Sequence, residues 1–126
     1  MTFVLVFLGS GIGGALRHGV NTLAERFGWT SFPVSTLTVN LVGSFLIGMV
    51  AETFAQKAQL PANLRLFLAT GLIGGFTTFS AFALDVVTLW ERGRGPVAVT
   101  YVVVSVLVGV VALLVGMALV KALLKT

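Results

Sequence analysis

No cysteine occurs in the 126 residues, so disulfides, thiolate metal sites and thiol nucleophiles are excluded. Charge is scarce as well. Lys and Arg number 8 and Asp and Glu 4, together 10% of the chain. A soluble domain carries about a quarter charged residues because its outside must face water. With 57% hydrophobic residues and a mean hydropathy of +1.07, this chain is expected to turn its outside to a lipid bilayer. The formal net charge of +4 is scattered singly, with no basic cluster interleaved with aromatics, so nucleic acid is not expected as a partner. No acid pair, no nucleophile with a base and no phosphate loop with its lysine can be read, so no enzyme is expected.

What is present is long apolar runs and glycine. Spanning the hydrocarbon core takes ~20 apolar helical residues. Four segments qualify, over residues 3–23, 33–54, 64–90 and 97–120. The first is apolar from Phe3 with no basic region ahead of it, and three more long segments follow, so it reads as a retained span rather than a leader. Pro33 suits a first helical turn. Gln56, Lys57, Gln59, Pro61 and Asn63 make a polar connector, and Glu91–Pro96 closes the third span. The expectation is a single all-α membrane domain over 1–126. Fifteen glycines fit that class, since glycine is commoner in transmembrane helices than in soluble ones.

The middle of the third span, Gly71 to Ser80, holds two adjacent glycines and three hydroxyl residues, which are poor mid-helix material. Such a stretch is tolerated where it lines a cavity or is buried in protein. It predicts a break mid-membrane, near 74–78; the alternative is a continuous helix with a close-packing glycine face. Gly9 and Gly13, continued by Arg17, form one small-residue stripe, and Ser105, Gly109 and Gly116 another. Either stripe can pack helices within one subunit or between subunits.

Four spans put Lys57, Arg65, Lys121 and Lys125 on one side and Arg26, Arg92 and Arg94 on the other, with Arg17 a candidate for the second group. Orientation follows an excess of Lys and Arg in cytoplasmic loops. With almost no excess, both orientations are expected. Two oppositely inserted copies would then build between chains the inverted repeat that transporters build within one.

Several polar residues sit where lipid would penalise them. Asn40 lies deep in the second span, with Thr36 and Ser44 on the same helical face. That face should look at protein or water, and bonding between helices would serve as well as a pore. Phe79 and Phe82 share a face beyond the break, beside Ser80, with Asp85 one turn on. Aromatics at that spacing are ordinary core or lipid contacts, yet their positive ring edges can also line an anion path. Arg17 reads either as an anion-attracting charge at a pore mouth or as a snorkelling arginine. Tyr101 and Ser105, four apart, could extend a polar track or simply pack.

The run Gly74-Gly75-Phe76-Thr77-Thr78-Phe79-Ser80-Ala81-Phe82 resembles the signature of the Fluc (CrcB) fluoride channels. Gly13–Arg17 in the first span and Thr38–Phe45 in the second match the same family, in order and spacing. The resemblance implies an antiparallel, dual-topology homodimer in the inner membrane, with two pores that conduct fluoride passively. It implies pore roles for Asn40, Phe79 and Phe82, with Thr78, Ser80, Tyr101 and Ser105 beside the path. It also implies vestibule positions for Arg17 and Asp85, although the family more often has Glu where Asp85 stands. The backbone carbonyls of Gly74 and Thr77 would hold a structural sodium ion at the dimer centre. A rival class, the small multidrug-resistance transporters, couples protons through a glutamate in its first helix, and this chain has no acidic residue between Phe3 and Leu23. A structural subunit of a larger membrane complex would not require the matched polar positions.

Overall fold

Residues 1–125 are described by a computed structural model, and among them every regular element is helical. Four helical stretches are long and apolar enough to cross a membrane: Thr2–Arg26, Val34–Gln56, Ala62–Glu91 and Gly95–Leu123. The first, second and fourth are the single helices α1 (Thr2–Arg26), α2 (Val34–Gln56) and α6 (Gly95–Leu123). The third is composite: α3 (Ala62–Arg65), a π-helical segment (Leu66–Ile73), α4 (Gly74–Phe76) and, after an interruption, α5 (Ser80–Glu91). Helix ends lie within a few residues of those expected from hydropathy.

Two ends show why. Past α1, Gly28 takes φ +73°, and past α5, Gly93 takes φ +74°. This left-handed conformation lets the chain reverse, so that Trp29 N–H reaches the Ala24 carbonyl and Arg94 N–H the Leu89 carbonyl.

The spans pack as two parallel pairs, and glycine makes each pair close. Along α1, a Cβ on Gly9 would lie 2.8 Å from the Phe67 carbonyl oxygen and 2.9 Å from Gly71 Cα, and one on Gly13 would strike the Leu72 carbonyl. Gly75 returns the contact onto Ser10. In the other pair, Gly48 of α2 lies on the Leu113 carbonyl and Gly116 of α6 on the Phe45 carbonyl. Both small-residue stripes are therefore used at least in part within one subunit, by backbone-to-backbone approach that any side chain would block. Among the described residues only two large side chains, Tyr101 and Val39, are fully buried, while Phe3, Phe7, Leu107, Val110 and Leu114 all face outward. An outside that apolar suits lipid rather than water.

Gly74 and Gly75 are helical, and the interruption falls at residues 77–79, overlapping the later end of the expected 74–78. Gly75 serves the close contact with α1, at Ser10, whereas Gly74 faces the cleft described next.

Candidate functional site

Where the third span is interrupted, Thr77 turns extended (φ −86°, ψ 162°). In an unbroken helix Thr78 N–H would bond the Gly74 carbonyl. Instead it donates to Asn40 Oδ1 of α2 at 2.8 Å, and Asn40 Nδ2 donates back to the Thr78 carbonyl at 3.0 Å. One side-chain amide thus satisfies both peptide groups of one residue and substitutes for the helical ladder. A turn later, the Ala81 N–H that would seek the Thr77 carbonyl goes to Thr78 Oγ1 at 3.1 Å, starting α5. The carbonyls of Gly74 and Thr77 have both lost their helical donors. Gly75 between them is served differently: its carbonyl accepts from Arg17 Nε of α1 at 3.3 Å.

The Thr77 side chain is also fixed. Its hydroxyl donates to the Ile73 carbonyl at 3.1 Å, and its methyl occupies the space where Gly43 of α2 has no Cβ.

In front of this break, α2, the third span and α6 leave a cleft of about 430 Å³. Its walls include Asn40, Ser44, Gly74, Thr77, Thr78, Phe79, Phe82 and Ser105, and no charged residue. The Ser105 hydroxyl is buried without a hydrogen-bond partner. Asn40 keeps one N–H after pairing with Thr78. Donors in an uncharged, partly apolar wall are what this arrangement can offer a small anion. Phe79, on the turn itself, is 79% exposed, and its ring centroid lies 5.7 Å from that of Phe82. Phe82 in turn lies 5.1 Å from Tyr101, whose ring also meets Phe32 edge-on at 5.5 Å.

The sequence-predicted residues therefore separate into groups. Asn40, Thr78, Phe79, Phe82, Ser105, Gly74 and Thr77 share the cleft wall, and Ser80 joins through its hydroxyl, 3.4 Å from that of Thr78. Tyr101 and Asp85 lie behind Phe82, with the Tyr101 hydroxyl donating to Asp85 Oδ2 at 3.1 Å. Asp85 is half-buried. Arg17 sits on the far side of the break, against the backbone.

Ser44 and Gly43 belong to the wall but were not among the residues expected there. Ser44 was visible on the Asn40 face; Gly43 had no signal beyond being a glycine. Away from the cleft, Glu52 is buried to 8% exposure, accepts from Gln56 at 2.8 Å and lies 3.8 Å from the Lys121 ammonium. No sequence pattern singled it out. Among the described residues no cluster of His, Asp and Glu could hold a metal ion, so a cation here would need carbonyl oxygens.

Comparison with known proteins gives one consistent result. The family model described as "CrcB-like protein, Camphor Resistance (CrcB)" matches residues 4–117. A protein of Granulibacter bethesdensis named "Fluoride-specific ion channel FluC" is 55% identical, over 99% of this chain and 98% of its own length. Proteins of the same name from Rhodopseudomonas palustris and Agrobacterium fabrum are 46% and 43% identical; they align over 98% and 94% of this chain, and 99% and 95% of their own lengths.

Proposed function

This chain belongs to the CrcB family, and from that premise we propose that it is a fluoride-selective channel through which fluoride leaves the cytoplasm passively, relieving its toxicity. The observation that carries the proposal is the uncharged cleft at the broken helix, with its unpartnered Ser105 hydroxyl, the spare Asn40 N–H and two phenylalanine rings. Fluoride is small and strongly hydrated, so a pore must replace its water with donors and still let the ion leave. Amide, hydroxyl and ring edge offer many weak contacts and no full positive charge to trap it. Thr78 and Ser80 would add hydroxyls along the path, and Tyr101 would hold Phe82 from behind.

The protein works as a homodimer of oppositely oriented chains in the inner membrane, with two pores and with the two helix breaks meeting near the bilayer midplane. Near-balanced basic residues in the connectors support that topology. The cleft opens on one side of a single chain, which a second chain would close. The Gly74 and Thr77 carbonyls, stripped of their helical donors, fit a structural sodium ion shared by the two chains. Carbonyl oxygens are hard ligands suited to such a cation, and broken membrane helices use them in this way. A bound sodium would add the positive charge that these paired carbonyl dipoles lack.

Fluoride efflux from liposomes tests the path. Phe79→Ile and Phe82→Ile each remove a ring edge and keep an apolar side chain, so the dimer should assemble while fluoride flux falls about tenfold or more. Full flux from intact dimers of both variants would exclude the aromatic path.

A further inference from the structure

Arg17 sets a full positive charge against the helix break, and its guanidinium contacts backbone, not the cleft. Its Nε donates to the Gly75 carbonyl at 3.3 Å, and it does not line the cleft. Gly75 lies at the C-terminal end of the helical stretch that runs from α3 through the π segment to α4. The last carbonyls of a helix have no internal donors, and together with the macrodipole they carry roughly half a negative charge. In water that end is solvated. Here it is part-buried against α1, and the Phe79 N–H that an unbroken helix would bring to Gly75 is lost to the turn.

We infer that Arg17 is a positioning residue that caps the broken third helix. It neutralises the α1-facing side of the break, so that the bare carbonyls of Gly74 and Thr77 are presented only on the cleft side. The break is then clamped from both flanks: Asn40 of α2 holds Thr78, and Arg17 of α1 holds Gly75. The α1 stripe Gly9–Gly13 brings the helices close enough for that reach, since Gly13 rests on Leu72 and Phe76 one turn before Arg17. This accounts for an arginine in the interior of α1 as part of the architecture of the pore and not as an anion trap at its mouth. The inference rests on the channel reading for its effect on flux, but not for the contact itself.

The contact is measurable directly, because Gly75 is the only glycine followed by phenylalanine. Protein labelled with carbonyl-¹³C glycine and ¹⁵N phenylalanine gives one solid-state NMR correlation in liposomes, that of Gly75–Phe76. Adding ¹⁵Nε arginine should dephase that carbonyl in the wild type; no dephasing overturns the cap whatever the variants do. Arg17→Gln should move the Gly75 carbonyl upfield as a charge-assisted bond is lost, and Arg17→Lys should keep it nearer the wild-type position. In the same vesicles Arg17→Gln should lower fluoride flux about tenfold, with a ratio to wild type that salt does not change. An unmoved carbonyl, with a ratio that converges on one as salt rises, would identify a pore-mouth charge instead. Wild-type vesicles that pass no fluoride would defeat the channel reading while leaving the dephasing result to decide the cap.

Discussion

Asn40 shows how much one side chain can determine. Its amide meets both the N–H and the C=O of Thr78, so replacing it by Leu leaves two part-buried peptide groups without protein partners. Each such group costs about 1–3 kcal/mol. Asn40→Leu should lower the thermal midpoint of the purified protein steeply. Asn40→Asp keeps an acceptor for the Thr78 N–H but faces its carbonyl with no donor, and should fall between. Equal midpoints for all three proteins would show that the clamp does not hold the break. Tyr101→Phe is a milder case, since Asp85 loses one donor and the ring contacts remain. About 1 kcal/mol of destabilisation is expected in a denaturation midpoint, with fluoride selectivity kept. The sequence shows that a deep amide is present and needs a partner. It does not show the partner, because Thr78 is 38 positions away and offers backbone, which leaves no mark in residue type.

At the scale of helices, glycine position matters more than glycine number. A methyl on Gly13 meets the Leu72 carbonyl and the Phe76 nitrogen, neither of which can rotate aside, whereas nothing lies within 4 Å of a methyl on Gly11 or Gly14. Gly13→Ala should therefore separate α1 from the third span and abolish a monodisperse peak in size-exclusion chromatography. Gly11→Ala and Gly14→Ala should elute as wild type and melt slightly higher, because alanine is the better helix former. Indistinguishable behaviour of all three would refute the interlocked packing. The third span is where reading the sequence falls short. Its glycine- and threonine-rich middle announces an interruption, but the hydrogen bonds that replace the helical ladder come from Asn40 of α2. The interruption sits at 77–79, around the Thr78 peptide groups that this amide meets. The π-helical winding of Leu66–Ile73 has no counterpart in the apolar run that encodes it.

For the molecule as a whole, hydropathy alone located the four spans, because a bilayer demands ~20 apolar residues per crossing and permits little else. The cleft was partly legible, through Asn40, Phe79, Phe82 and Ser105, since polar and aromatic residues in a lipid-facing chain are few enough to stand out. On the proposed reading, a second copy would close the cleft. The near-balance of basic residues predicts that cysteines placed in the first and third connectors are labelled from both sides of the membrane in similar amounts. Labelling from one side only would eliminate the antiparallel dimer. The central claim, a fluoride channel with an uncharged, donor-lined path, meets its most direct test in wild-type protein reconstituted into liposomes, with fluoride and chloride efflux read in parallel by ion-selective electrodes. Chloride is larger and more weakly hydrated, so a wide or merely electropositive pore would pass it readily. The account predicts rapid fluoride efflux with chloride retained in the same vesicles; chloride leaving as fast as fluoride would contradict it.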